Sequence, residues 1–176
     1  MRAVTFSQLG GPEVLQVSEL PAPQPGPGEV RIRVAAATVN PTDISFRSGR
    51  QLTTAQLAEM GVRPPYIPGM ELAGVVDAVG AGTSWRTGDR VMAIVNPRRP
   101  GGGAQAELVV VPVASVARVP EGISLEAAAT LPMNGLTVRL ALDRLALKPG
   151  QTLGSLVPPA QSAATRSSSA SAKACA

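Results

Sequence analysis

Four short patterns hold the residue types in this chain that could do chemistry: Asn40-Pro41-Thr42-Asp43, Pro68-Gly69-Met70-Glu71-Leu72-Ala73-Gly74, Gly88-Asp89-Arg90-Val91 and Leu131-Pro132-Met133-Asn134-Gly135-Leu136-Thr137. Each is weak alone, and each has a plain structural reading. Asn40 precedes a proline and is disposed to start a turn, while Asp43 can cap a helical turn over residues 44–48. Glu71 lies among apolar residues and small glycines, which favours a buried hydrogen bond or ion pair over catalysis. Asn134 can cap a helix. Arg98 and Arg99 could attract a phosphate but fit a solvated loop better. Met70 and Met133 read as packing, Trp85 as a loop anchor, and Gly69, Gly74, Gly80, Gly82 and Gly88 as turn and bulge residues. Metal chemistry is excluded more firmly. Histidine is absent and the single cysteine, Cys175, stands beside the C-terminus, so no His or Cys set can hold zinc and no disulfide can form within the chain.

The elements that must position these residues are short strands. Of the 176 residues 44% are hydrophobic but only 2% aromatic, so a core has to come from Val, Leu, Ile and Ala. Seventeen prolines and eighteen glycines imply many turns rather than a helical bundle. Glu29-Val30-Arg31-Ile32-Arg33-Val34 alternates strictly, placing Val30, Ile32 and Val34 on one face, and the Pro- and Gly-rich run over residues 21–28 before it makes a stiff connection. Further strands are expected at residues 3–6, 15–19, 72–79, 90–95, 105–111 and 116–119, in a compact antiparallel, barrel-like domain. A short surface helix fits residues 51–60. Two more helices follow, residues 125–131 with Ser124 as N-cap and residues 135–146 with Asn134 as cap, the second presenting Val138, Leu142 and Leu145 on one apolar face. Pro149-Gly150 then turns the chain into a buried strand opening at Thr152. The net charge of +4 is scattered and few aromatics accompany it, so it serves solubility rather than nucleic-acid binding. The N-terminus lacks the apolar region of a signal peptide and no apolar run reaches the roughly 20 residues that cross a bilayer, which makes a cytoplasmic location the default and a membrane partner unexpected.

In this order and spacing, with Gly101-Gly102-Gly103-Ala104-Gln105-Ala106-Glu107 between the last two, the four patterns closely resemble the medium-chain dehydrogenase/reductase superfamily. The nearest branch is the zinc-independent, NADPH-dependent quinone oxidoreductases, and the resemblance covers about residues 1–154. It implies a mainly β fold with a few helices: a GroES-like, partly open β-barrel over residues 1–120, then linking helices and the first strand of a Rossmann domain over residues 121–154. It also implies hydride transfer from NADPH to a quinone or enone in the cleft between the two domains, and a homo-oligomer as a possible state. Zinc-dependent relatives would carry a cysteine in place of Asn40 and a histidine in place of Met70, so the resemblance implies no zinc. In quinone-reductase-like members the Asn40 and Asp43 positions face the nicotinamide or the substrate, and the Asn134 position lies close to the nicotinamide. Asn40 and Asp43 are thereby the candidate catalytic residues, and Asn40, Asn134 and Thr137 the candidate cofactor contacts. Their implied work is orientation and hydrogen bonding, because hydride transfer belongs to the cofactor.

The pattern changes after Gly154. In the family, the strand following Lys148-Pro149-Gly150-Gln151 leads into a glycine-rich turn at a helix N-terminus, where backbone N–H groups hold the pyrophosphate. Residues 155–176 contain no glycine, and Pro158-Pro159 stand where donors are needed, in a low-complexity stretch of Ala and Ser. The sequence therefore predicts the N-terminal portion of such an oxidoreductase, binding NADPH negligibly and inactive as this chain, with a tail that is disordered or translated out of frame. Two alternatives stand beside it. One is a non-catalytic GroES-like remnant that serves as an interaction module; the other, less favoured, is a zinc alcohol dehydrogenase fragment.

Overall fold

The structure, a computed structural model, describes residues 1–154, so the expectations for the Ala- and Ser-rich tail lie outside the described residues. The chain divides into two compact units, Met1–Thr137 and Val138–Ala176. In the first, β1 (Arg2–Thr5) and β2 (Gln16–Glu19) form an antiparallel ribbon. The strands β3 (Glu29–Ala37), β4 (Glu71–Val79), β5 (Arg90–Ile94), β6 (Leu108–Pro112) and β7 (Val116–Arg118) form a five-stranded antiparallel sheet in the order β6-β3-β4-β5-β7. The edge strands β6 and β7 do not pair with each other, so the sheet stays open.

Alternation in β3 does what the side-chain period requires. Val30 and Ile32 are fully buried and pack with Leu72, Val76, Val91 and Val111. Arg31 and Arg33 on the opposite face both pair with Asp77, Arg31 at 2.7 Å, and a further Arg31 N–H donates to the Pro23 carbonyl at 2.9 Å, pinning the proline-rich run against the sheet. Two register shifts, between Arg31 and Ile32 and between Val34 and Ala36, bend the strand. In β4 the alternation fails because both faces are covered: Leu72 enters the main core while Ala73 packs with Val119, Ala128 and Ala129. Gly74 is required there by closeness rather than by a turn, since a Cβ would stand 2.1 Å from the Arg33 carbonyl oxygen.

The expectation of an all-aliphatic interior holds for this sheet and fails beside it. A second core gathers Phe6, Phe46 and Tyr66 with Leu57 and Val62. Its ring centroids lie 5.2 to 6.1 Å apart, Phe6 and Phe46 meeting edge to face. Few aromatics therefore means concentrated aromatics: both phenylalanines and the one tyrosine meet at one place.

The helices are α1 (Pro41–Arg47), α2 (Thr54–Glu59), α3 (Leu125–Ala128) and α4 (Pro132–Leu145). The expected surface helix contracts to α2, which Thr53 and Gln56 open with a reciprocal capping box. Ser124 caps α3 as expected, accepting from the Ala127 N–H at 3.2 Å, but α3 ends at Ala128 rather than at Leu131. Asn134 does not cap the last helix. That helix begins at Pro132, which suits a first helical position because it has no N–H to satisfy. The strand expected from Gln105 begins only at Leu108, since Ala104 and Gln105 instead donate to the Gly69 and Pro68 carbonyls at 2.9 and 3.0 Å. No strand forms at Thr152: residues 151–154 are exposed and irregular, and no described strand takes their hydrogen bonds. The described apolar side chains of the second unit, Val138, Leu142 and Leu145 among them, are exposed. Among the described residues, no helix is long and apolar enough to cross a membrane.

Candidate functional site

Glu71 opens β4 as a carboxylate 1% exposed, placed there because β4 is covered on both sides, and burial obliges its oxygens to find donors. Oε1 accepts from the Thr38 hydroxyl at 2.8 Å and the Asn40 Nδ2 at 3.1 Å; Oε2 accepts from the Met133 backbone N–H at 2.9 Å. Asn40 Nδ2 also donates to Thr38 Oγ1 at 2.9 Å and lies 3.8 Å from the Met133 Sδ. One carboxylate thus joins the end of β3, the turn into α1 and the first turn of α4.

Asn40 is half-buried and is the N-cap of α1, with its side chain toward the N–H of Asp43. Asp43, 5% exposed, accepts from the Asn40 N–H at Oδ2, 2.8 Å, and from the Gly69 N–H at Oδ1, 2.9 Å. This is a capping box closed by a long-range strut. Gly69 adopts a φ of +106°, and a Cβ would meet the Ala104 and Gln105 nitrogens at 2.8 Å, so glycine alone lets the Asp43 carboxylate reach this N–H without strain. Gln105 completes the surround, its Nε2 3.5 Å from the Thr38 carbonyl.

The structure therefore brings Asn40, Asp43, Glu71 and Met133 together. The Asp43 oxygens are both occupied by backbone donors, and both hydrogens of the Asn40 amide are spent on Thr38 and Glu71. What Asn40 keeps is acceptor capacity at Oδ1, which faces the N-terminus of α1. Asn134 and Thr137 are exposed on α4 and bond back along the chain, Asn134 Nδ2 to the Thr130 carbonyl at 3.3 Å and Thr137 Oγ1 to the Met133 carbonyl at 2.7 Å. The sequence reading missed Thr38, whose only signal was a buried carboxylate elsewhere in need of donors. Gly88-Asp89-Arg90-Val91 lies outside the network and closes the β4–β5 turn. Asp89 accepts from the Arg86 N–H at 3.0 Å and from Arg118 at 3.1 Å, which hold its carboxyl below the usual range, and Arg118 stacks 5.0 Å over the Trp85 ring.

The same geometry shows what these residues can hold. Among the described residues no group of three or more His, Cys, Asp or Glu is placed to bind a metal ion. Phosphate has no cradle at α4, because Pro132 has no N–H and the Met133 N–H is taken by Glu71. At the α1 start Pro41 has no donor and the Asp43 N–H goes to the Asn40 carbonyl at 2.9 Å. Pro132 also belongs to an apolar groove of about 440 Å³ walled by Met92, Ile94, Val116, Leu131 and Leu136, which suits a flat apolar surface.

Residues 26–121, more than half the chain, match the alcohol dehydrogenase GroES-like domain. The chain belongs to this family. Relatives place the domain in the quinone-oxidoreductase-like branch of the medium-chain dehydrogenase/reductase superfamily. The chain is 36% identical over 147 residues to the synaptic vesicle membrane protein VAT-1 homolog-like of Mus musculus, a match covering 83% of this chain and 32% of the relative. It is 33% identical over 156 residues to the quinone oxidoreductase of Pongo abelii, covering 87% and 44% respectively. The crystal structure of Escherichia coli quinone oxidoreductase complexed with NADPH superposes with a TM-score of 0.68 at 31% identity, over 82% of this chain and 41% of that one. The chain thus spans between 32% and 44% of these relatives' own length. At that level the GroES-like domain here is that of a zinc-independent oxidoreductase family.

Proposed function

We propose that the GroES-like domain forms the substrate-side wall of an oxidoreductase that reduces a quinone or enone with NADPH and without metal. The observation that carries the reading is the buried Glu71 network, which immobilises the Asn40 amide at the start of α1. The cofactor, when bound, supplies the hydride. The chain's own part is to orient: Asn40 presents an acceptor, Asp43 acts through Asn40 by fixing the N-terminus of α1, and Asn134 and Thr137 offer their remaining polar capacity from α4. The apolar groove beside Pro132 fits a ring or alkene without competing hydrogen bonds. The Met133 N–H at the start of α4 is taken by Glu71 and residues 155–176 hold no glycine, so the 176-residue chain is expected not to retain NADPH. The domain boundaries near residues 120 and 154 belong to the same proposal.

The test is a titration of the purified chain with NADPH followed by nicotinamide fluorescence. No saturation up to millimolar cofactor is expected; micromolar binding contradicts the reading of the chain as a half-site. The coding DNA across codon 154 is a separate check on the tail: a glycine-rich turn in an offset frame supports an out-of-frame origin, and its absence removes it.

A second reading, a non-catalytic interaction module, draws on the exposure of Val138, Leu140, Leu142 and Leu145 on α4. Size-exclusion chromatography separates the two. A defined, inert complex favours the module, and a monomer or an aggregate favours the half-enzyme.

A further inference from the structure

Away from Asn40 and Glu71, a cavity of about 250 Å³ opens between the proline-rich run before β3 and the loop between β5 and β6. Its walls are mostly apolar, formed by Leu20, Pro21, Val62, Tyr66, Ile67 and Pro100. Its only charged side chains are Arg63 and Arg99, with no carboxylate among the lining residues. Arg63 is exposed. Arg99 is half-buried, and one of its N–H groups donates to the Val110 carbonyl, yet its Nε is buried with no acceptor among the described residues. Burial holds the Arg99 guanidinium below its ordinary value, opposed only by the more distant charge of Glu29. The Glu29 carboxylate forms no ion pair with Arg99 and accepts from the Gly26 N–H at 2.9 Å. Arginines withdrawn from water normally find a carboxylate or phosphate, because an uncompensated buried charge and an unspent donor both cost free energy.

We infer that this cavity is a binding site for a small organic anion, a carboxylate carried on a compact aromatic or branched aliphatic body. The guanidinium of Arg99 receives the carboxylate, the apolar wall receives the body, and Arg63 lies at the rim. The volume limits the body to about one ring, since 250 Å³ holds about eight waters at ~30 Å³ each. None of Thr38, Asn40, Glu71 or Met133 lines the cavity, so this site is independent of the proposed hydride-transfer reading.

The probe is benzoate, titrated into the full 176-residue chain and followed by backbone amide NMR. Saturable shifts confined to Val62, Arg63, Tyr66, Ile67 and the 97–102 loop are expected. Benzamide, the neutral isostere, and the R99Q variant are each expected to bind at least tenfold more weakly, and inorganic phosphate, which lacks the apolar body, not to saturate. If R99Q does not fold, R63Q decides: loss of a rim charge should weaken benzoate about two- to fivefold. No saturable benzoate binding, equal binding by benzamide, or an unchanged affinity in the folded arginine variant overturns the assignment. Equal binding of phosphate does so too, because it reduces the cavity to a place for an adventitious ion only.

Discussion

Replacing Glu71 by glutamine keeps the size and shape of the side chain and removes one thing, the second acceptor. The wild-type carboxylate receives Thr38 and Asn40 on Oε1 and Met133 on Oε2, at 2.8, 3.1 and 2.9 Å. A carboxamide has one oxygen and one NH2, so every orientation leaves a conflict. With the oxygen toward Thr38 and Asn40, the NH2 faces the Met133 N–H and the first turn of α4 loses its acceptor. With the oxygen toward Met133, the NH2 faces the Asn40 amide, which must turn over and aim its own NH2 at the N-terminus of α1. A hydrogen bond to a charged group is worth about 1.5–3 kcal/mol and a stranded buried donor costs about 1–3 kcal/mol. The neutral side chain recovers part of this, because the wild type keeps an ionisable group away from water without a cation beside it. The expected net loss for E71Q is therefore about 1–3 kcal/mol in an equilibrium urea titration, together with faster exchange of the Met133 amide or of the Asn40 side-chain amide. Thr38→Val removes one donor to Oε1 and the acceptor of one Asn40 N–H and should cost about 1–3 kcal/mol while leaving Met133 protected. An E71Q protein within about 0.5 kcal/mol of wild type, with both amides still slow to exchange, would refute the argument that one carboxylate serves two ends of the site.

The remaining predictions use the same unfolding measurement. Gly74→Ala places a methyl 2.1 Å from the Arg33 carbonyl oxygen and should destabilise by roughly 1–3 kcal/mol or more; an unchanged midpoint would mean that β3 and β4 separate easily. Phe46→Ala removes the ring that packs edge to face on Phe6 and should cost about 3–5 kcal/mol, more than any aliphatic truncation at the sheet surface. For pH, the Asp89 carboxyl is held low chiefly by the Arg86 N–H and then by Arg118, and the Glu107 carboxyl by the Arg2 N–H and then by the Arg2 side chain. Depressed carboxyls stabilise the fold above their unfolded values, about 4, and that contribution is lost as pH falls through the folded ones. D89N/E107Q should thus be less stable than wild type at neutral pH, and the gap should close on acidification; a gap that widens in acid would reverse the sign.

The strands were legible because strict alternation admits one solution. Val30 and Ile32 had to share a face, and the arginines between them had to leave it. The position of Asn134 was misread for an equally specific reason. An Asn before a periodic apolar stretch signals a cap, but the acceptor at the start of α4 comes from Glu71, 62 positions earlier in the chain, and no local pattern encodes it. The aromatic core was illegible in the composition, since a percentage carries no information on whether two Phe and one Tyr are scattered or in contact. The strand expected at Thr152 rested on local apolar character, while a strand exists only when a neighbour takes its hydrogen bonds.

By itself the sequence determined the family-bearing motifs, the sheet-forming alternation, the lack of thiolate or imidazole ligands and the absence of a glycine cradle after Gly154, because each of these is a property of residue type and spacing. Only the tertiary structure decided which polar groups meet. That Asp43 braces Gly69, which oxygen of Glu71 serves which donor, and that Arg99 keeps a buried N–H without a partner among the described residues are set by chain segments brought together across the fold. A buried polar group is defined by its neighbours, and neighbours distant in sequence are fixed by packing.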